Sequence, residues 1–164
     1  TSAVYVPASG GGLLSGVATA IKSLAPHVRV VGVEPACTPR MTRSLAAGHP
    51  VTVPGATGVA DGLLAVRPGD ITFALIQAHV DEIVTLDDEA ILDGVRWIFG
   101  HGRLVAEPSG AAPVAAALGR GITTCSRDGA RAAQMAGGPV AAVVSGGNVD
   151  TTAFTTYITA ARPA

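Results

Sequence analysis

The sequence predicts an α/β fold with a mainly parallel β-sheet flanked by helices. Its first apolar run, residues 3–6, is followed by three consecutive glycines and then by a helical apolar pattern over 13–22. A second apolar run covers 28–33, and a strand, helix and strand within about 30 residues form a right-handed parallel crossover by default. Only 4% of the residues are aromatic while 21 are glycine, which favours closely packed layers of strands and helices.

The later elements follow from the same periodicities and from residues that begin or end helices. We predict a short helix over 41–47 and another helix at Asp70, whose carboxylate we expect to cap it. The acids at 87–89 favour a further helix start. Residues 119–138 are predicted to form a surface excursion with a helical turn around 130–135. The other predicted elements are a strand over 82–86, a helix after 107, a strand over 140–144 and a final helix containing 154–158.

Composition excludes several classes of function. The 164 residues, 48% hydrophobic and 14% charged, predict one domain, residues 1–164, with a sizeable core. A net charge of −1 without a basic stripe argues against binding to nucleic acid or a membrane surface. No apolar run reaches the roughly 18 residues of a membrane span. Cys37 and Cys125 lack Cys-x-x-Cys spacing and no signal segment precedes the first strand, so we expect a cytoplasmic protein.

Two glycine turns follow predicted strands. The first glycine turn, residues 9–13, consists of Ser9, Gly10, Gly11, Gly12 and Leu13. Several N–H groups can converge there on one anion, and the helix N-terminus behind them adds about half a positive elementary charge, which suits a phosphate group. The second glycine turn, residues 145–148, consists of Ser145, Gly146, Gly147 and Asn148. It gives a ligand a second place to meet the backbone, beside a neutral hydroxyl.

Two acids elsewhere in the chain have an ordinary structural interpretation, and one of them also has a functional one. Asp61 and Gly62 form a pair that is typical of ordinary turns. Glu107 lies between an apolar run and an alanine-rich helix, so it is either a partly buried acid that needs a partner or a residue at a helix start.

A dinucleotide-binding oxidoreductase domain is a rival interpretation. The pattern Gly10-x-Gly12-x-x-Ser15, with Glu34 about 20 residues later, nearly matches the fingerprint in which an acid holds a ribose hydroxyl. However, Ser15 stands where that fingerprint has glycine or alanine, and the second glycine turn stays unexplained. A non-catalytic binding domain is a third interpretation.

Five short motifs occur in the order found in pyridoxal-phosphate-dependent serine/threonine dehydratases and serine racemases, and the chain resembles that family over essentially its whole length. The motifs are Val6-Pro7-Ala8-Ser9-Gly10-Gly11-Gly12-Leu13, Val33-Glu34-Pro35, Ala60-Asp61-Gly62, Glu107-Pro108-Ser109-Gly110-Ala111 and Val144-Ser145-Gly146-Gly147-Asn148. Together they are far more specific than either glycine turn alone.

The resemblance implies fold type II of the pyridoxal-phosphate enzymes, the type of the tryptophan synthase β subunit, with this chain forming most of the large domain. By that comparison, backbone N–H groups of the first glycine turn would hold the phosphate of pyridoxal 5′-phosphate. Ser145 would face the pyridine nitrogen, and the backbone of Gly62 would pass near the cofactor. The supporting residues would be Asp61, Glu107, Gly146 and Asn148.

The same resemblance implies an ammonia-lyase of amino-acid metabolism. Its substrate would be L-threonine or L-serine, and β-elimination of the hydroxyl would give a 2-oxo acid and ammonia. A neutral serine opposite the pyridine nitrogen makes the ring a weaker electron sink than a carboxylate would, which suits α-proton removal followed by prompt loss of the hydroxyl. A racemase shares the first step and stays an alternative. We expect the whole enzyme to form a homodimer.

The sequence departs from the family pattern at three points. Ser9 takes the place of the first of four glycines. Arg40 stands where relatives that bind a divalent cation beside the residue matching Glu34 carry an acid, so we predict no metal site and expect the guanidinium in its place. The family's Schiff-base lysine lies in an N-terminal segment, whereas this chain has only Lys22, which we expect to be solvated. We therefore expect the C-terminal portion of a longer enzyme, without the small domain and inactive alone.

Overall fold

A computed structural model describes residues 1–126 and 138–160 of the chain, with no account of the side chains of 123–126. The strands are β1 (Ala3–Pro7), β2 (Arg29–Pro35), β3 (Glu82–Leu86), β4 (Thr123–Ser126) and β5 (Val140–Ala142). They form one sheet in the order β4-β3-β2-β1-β5. β1, β2, β3 and β5 are parallel, and β4 pairs antiparallel with β3. The mainly parallel sheet predicted from the sequence is therefore confirmed.

Helices connect the strands as the apolar periodicity predicts. They are α1 (Gly12–Leu24), α2 (Arg40–Ala47), α3 (Asp70–His79), α4 (Asp88–Trp97), α5 (Pro108–Ala117) and α6 (Thr151–Thr159). A 3₁₀ turn at Asp61–Leu63 precedes α3, and a π-helical turn at Ile98–Gly102 extends α4. No helix in the described ranges is both long and apolar enough to cross a membrane.

The sequence predicted the start of α4 correctly but misplaced the residue that precedes α3. Asp87 precedes α4, and its carboxylate accepts the N–H of Ala90 at 2.8 Å, so the predicted helix start is confirmed and Asp87 caps it. The expected cap at Asp70 is wrong, because Gly69 is the residue that precedes α3. Asp70 is itself the first helical residue and pairs with Arg67 at 2.5 Å.

Alternate strand residues pack on opposite faces of the sheet. Val4, Val6, Val30 and Ile83 share a buried cluster with residues of α1 and α3 on one face. The opposite face, with Val31, Val33 and Val84, packs against α4 and α5. α6 covers the far side of α4 and α5 through Phe154. The result is a layered arrangement whose parallel strands end at one edge, where ligands bind in folds of this class.

The region after α5 contains an element that sequence analysis missed. Residues 123–126 form β4 on the edge of the sheet, within the stretch that we predicted as a surface excursion. Thr123–Ser126 is short and lacks an apolar run, so no strand periodicity marks it. The helical turn expected around 130–135 lies outside the described residues.

The contact between α4 and α5 predicts opposite effects for two identical substitutions. A Cβ at Gly94 would lie 2.8 Å from the carbonyl oxygen of Ala111 and 3.1 Å from the Cβ of Ala115. Gly94→Ala is therefore expected to lower the free energy of unfolding by about 1–3 kcal/mol. Gly16→Ala, in open space on α1, is expected to raise it by roughly 0.5–1 kcal/mol. Urea unfolding measures both, and an unchanged stability of Gly94→Ala would contradict this packing.

Candidate functional site

The two glycine turns line a single cavity of about 250 Å³ beyond the carboxyl ends of the parallel strands. All five residues of the first glycine turn contribute to its wall, and Ser145 contributes from the second. The remaining lining residues are Pro7, Gly62, Leu63, Glu107 and Ser109. The fold thus brings together residues that are more than 130 positions apart in the sequence.

In the first glycine turn, Gly11 occupies a position that only glycine fits, whereas Gly10 and Gly12 face open space. Gly11 has a φ of +99°, in the left-handed region, and precedes the first residue of α1. A Cβ on Gly11 would lie 2.8 Å from Oγ1 of Thr72 and 2.9 Å from Cδ1 of Ile76, both in α3. A Cβ on Gly10 or Gly12 would meet nothing within 4 Å. The turn is therefore packed tightly against α3 at its centre and open on either side.

The amides of this turn are free to bind an anion. Within residues 1–126 and 138–160, no backbone N–H of residues 9–13 donates a hydrogen bond to the protein. The ladder of α1 begins with the N–H of Ser15, which donates to the carbonyl of Gly11 at 2.9 Å. Free amides at a helix N-terminus attract negative charge through both hydrogen bonding and the helix dipole.

Glu107 holds the second glycine turn beside the cavity. Its N–H donates to the carbonyl of Gly146 at 3.1 Å, and its Oε2 accepts the N–H of Asn148 at 2.9 Å. A Cβ on Gly146 would overlap Oε1 of Glu107, and a Cβ on Gly147 would lie 2.9 Å from the carbonyl oxygen of Val105. The half-buried acid considered in the sequence analysis thus has partners, and both glycines are needed for this close approach.

Gly62, the second residue of the Asp61–Gly62 pair, forms a third part of the cavity wall. Its N–H lies 3.0 Å from Oγ of Ser109 and 2.8 Å from Oδ1 of Asp61. Asp61 itself is exposed and is not among the cavity-lining residues of the described chain. Ser109 is buried and lines the cavity, although sequence reasoning did not select it. Its place two residues after Glu107 in the shared motif was the available signal.

Glu34 is not placed to hold a ribose hydroxyl. Its side chain has no exposed surface, and its carboxylate accepts the N–H groups of Met41 at 2.9 Å and Thr42 at 2.8 Å. Arg40 lies 3.7 Å away, so the guanidinium does occupy the space beside this acid. Burial raises the pKa of the Glu34 carboxyl, while the N–H groups of Thr42 and Met41 and the Arg40 charge oppose that rise. The dinucleotide interpretation therefore loses the acid on which it depends.

Among the described residues, the cavity is lined by no cluster of metal ligands and by no lysine. No three His, Cys, Asp or Glu side chains lie close enough together in that part of the chain to bind a metal. Lys22 does not line the cavity; its Nζ pairs with Asp81 at 2.8 Å and donates to the carbonyl of Val28 at 3.0 Å. Its side chain is 19% exposed, so the expectation of a solvated lysine is wrong.

Comparison with protein families gives a match over most of the chain. The family described as "Pyridoxal-phosphate dependent enzyme" matches residues 1–146. The matched range includes the first glycine turn and the first two residues of the second.

Individual relatives agree with this match. The L-threonine ammonia-lyase of Thermotoga maritima is 41% identical over 147 residues, which are 90% of this chain and 34% of that protein. The serine racemase of Oryza sativa subsp. indica is 39% identical over 147 residues, 90% of this chain and 41% of that protein. This chain thus spans roughly a third to two fifths of those relatives.

Solved structures show the same fold. The T.th. threonine deaminase superposes with a TM-score of 0.80 at 38% identity, covering 91% of this chain and 49% of that one. Maize serine racemase superposes with a TM-score of 0.82 at 35% identity, covering 94% of this chain and 45% of that one.

Because Gly146 contacts Glu107, substitutions of these two residues are expected to have non-additive effects on the free energy of unfolding. Gly146→Ala is expected to cost about 1–3 kcal/mol of unfolding free energy, because the added methyl group overlaps the carboxylate. Glu107→Ala removes that carboxylate, so the double variant is expected to lose less than the sum of the two single losses.

A double-mutant cycle of urea unfolding measures this coupling. Gly100→Ala serves as the control, since a Cβ there meets nothing within 4 Å. Strictly additive losses for Gly146→Ala and Glu107→Ala would contradict the proposed contact.

Proposed function

Because this chain belongs to the family of pyridoxal-phosphate-dependent enzymes, we propose that it is the cofactor-binding portion of a longer hydroxy-amino-acid ammonia-lyase. Its reaction converts L-threonine or L-serine into a 2-oxo acid and ammonia. The observation that carries this proposal is the single cavity lined by both glycine turns.

The residues around the cavity fit pyridoxal 5′-phosphate. The free amides of residues 9–13 suit a phosphate dianion, and the absence of side chains at Gly10 and Gly12 leaves room for it. A volume of about 250 Å³ lies just below the roughly 300–1,000 Å³ of common small-molecule sites, which favours one small ring over a dinucleotide.

Each part of the cavity has a proposed role. The first glycine turn binds the phosphate, and the Ser145 hydroxyl faces the pyridine nitrogen without holding a proton there. Gly62 gives the ring a flat backbone surface, while Glu107 keeps Ser145 in place through its bonds to Gly146 and Asn148. When bound, the cofactor stabilises negative charge at the α-carbon of the amino acid. Asp61 acts only through Gly62, whose N–H it accepts.

Relatives support the choice of reaction and also a second candidate. The Thermotoga maritima relative is an L-threonine ammonia-lyase, and 41% identity over 90% of this chain favours elimination of a β-hydroxyl. Serine racemases at 39% identity favour racemisation as the second candidate. Both reactions begin with removal of the α-proton and therefore use the same cavity.

We also propose a cytoplasmic location and dependence on the rest of the enzyme. Cys37 is a free, exposed thiol, which suits a reducing compartment. The chain's one lysine, Lys22, pairs with Asp81 outside the cavity. We therefore propose that a lysine from another segment completes the site.

The variant Gly12→Asp tests phosphate binding without destabilising the fold. The new carboxylate stands in open space at the first residue of α1, where it stabilises the helix but repels a phosphate. We expect the variant to unfold at an equal or higher temperature and to lose pyridoxine 5′-phosphate binding by at least about tenfold. This probe lacks the aldehyde and cannot react with Lys22.

Calorimetric titration and thermal unfolding provide the two measurements. Gly16→Asp adds the same charge to α1 one turn further on, at a residue that does not line the cavity, so it should weaken binding far less than Gly12→Asp. The unaltered chain should bind pyridoxine 5′-phosphate more tightly than NAD. Equal binding by Gly12→Asp and the unaltered chain would place the phosphate elsewhere.

Activity is expected only when the missing lysine is supplied. The 164-residue chain with pyridoxal 5′-phosphate should release no 2-oxo acid from L-threonine or L-serine. A chimera in which this chain replaces the matched segment of the Thermotoga maritima enzyme should release it from L-threonine. Ser145→Ala in the chimera should lower turnover more than cofactor retention.

Product analysis distinguishes the candidates. Release of 2-oxo acid supports the lyase, whereas formation of the D-enantiomer alone supports the racemase. Turnover by the 164-residue chain itself would contradict the need for an external lysine.

A further inference from the structure

Arg40 is a fully buried cation directly behind the first glycine turn. Its side chain has no exposed surface, and its Nη1 lies 3.7 Å from Oε2 of Glu34. The same nitrogen donates to the carbonyl of Thr38 at 2.7 Å and to its Oγ1 at 3.1 Å. The guanidinium is thus fixed from one side by Glu34 in β2 and by Thr38 in the loop between β2 and α2.

The other side of the guanidinium binds the turn itself. Nε donates to the carbonyl of Ser9 at 3.1 Å, and Nη2 donates to the carbonyl of Ala8. The next carbonyl, that of Gly10, accepts the N–H of Gly69 at 3.0 Å and the hydroxyl of Thr72 at 2.7 Å. Three successive carbonyl groups of the chain are therefore held from behind.

These contacts set the direction of the free amides. A trans peptide is planar, and its C=O and N–H groups point in opposite directions. The carbonyls of Ala8, Ser9 and Gly10 share peptide planes with the N–H groups of residues 9, 10 and 11. Holding those carbonyls toward Arg40 and α3 turns the three N–H groups away from Arg40 and α3. Residues 9–11, which carry these N–H groups, all line the cavity.

We propose that Arg40 is a positioning residue that orients the phosphate-binding amides of the first glycine turn, with Thr72 as its counterpart on α3. This proposal rests on the proposed binding of a phosphorylated cofactor. A planar fork of several donors is needed to hold the carbonyls of Ala8 and Ser9 at once, which a lysine ammonium on a flexible stem does not provide. The charge of Arg40 alone is therefore insufficient.

Arg40→Lys tests this role in the whole chain. It keeps the charge opposite Glu34 and loses the fork, so affinity for pyridoxine 5′-phosphate should fall by about tenfold or more. Affinity for pyridoxine, which lacks the phosphate, should stay unchanged. A residue that only stabilised the fold would lower both affinities together.

Two further variants complete the design. Arg43→Lys is the matched control, an exposed arginine on the same helix, and should bind both probes as the unaltered chain does. Thr72→Val removes one donor to Gly10 while Gly69 keeps the other, so it should selectively lose about threefold in phosphate-probe affinity. This variant decides the question if Arg40→Lys does not fold.

The possible results separate the two proposals. A selective loss of phosphate-probe affinity in Arg40→Lys, or in Thr72→Val where Arg40→Lys is unfolded, supports the positioning role. Unchanged or equally reduced affinities for the two probes overturn it while leaving the proposed function intact. An unaltered chain that binds neither pyridoxine 5′-phosphate nor inorganic phosphate overturns both.

Discussion

Parallel pairing of β1 with both β2 and β5 is the constraint on which the site depends. Val4 lies opposite Val30 on one side and Ala141 on the other. Since all three strands run in the same direction, the segments that follow them leave the sheet at one edge. The first glycine turn follows β1 and the second follows β5, so the topology places them side by side across a small cavity.

Small residues make this proximity attainable. α5 is buried along nearly its whole length and consists mainly of alanine, glycine and proline. A Cβ on Gly110 would lie 2.7 Å from the backbone nitrogen of Gly146, so the start of this helix touches the second glycine turn directly. Aromatic side chains here would push the layers apart. Small residues in α5 are therefore needed for the second glycine turn to reach the cavity, as well as for the close packing of the layers.

Local patterns predicted the elements but not their long-range contacts. The strand at Glu82–Leu86 has the predicted bounds because its apolar run is bordered by charged residues at either end. The edge strand Thr123–Ser126 lacks such a run and was missed. Asp70 could cap α3 only if it preceded the helix, but it is the first helical residue. A sequence pattern does not fix a helix start to within one residue, so it could not distinguish these two positions.

At the site, too, the sequence indicated individual residues but not the contacts between distant parts of the chain. The glycine turns were selected because glycines that follow a strand let N–H groups converge on an anion, and Glu107 because a partly buried acid needs a partner. Arg40 was expected beside Glu34, but its bond to the carbonyl of Ser9 joins residues 31 positions apart, and no local periodicity encodes it. The partner of Ser109, Gly62, likewise lies 47 positions away, so only the position of Ser109 in the motif around Glu107 indicated it.

An NMR titration tests most directly whether the two glycine turns enclose one phosphorylated ring. With backbone amides assigned, pyridoxine 5′-phosphate is added to the chain, and inorganic phosphate is added to a second sample. We expect pyridoxine 5′-phosphate to shift amide resonances in both turns, residues 9–13 and 145–148, and inorganic phosphate to shift mainly those of the first. Shifts confined to one turn with the pyridoxine phosphate, or absent from both, would contradict this expectation.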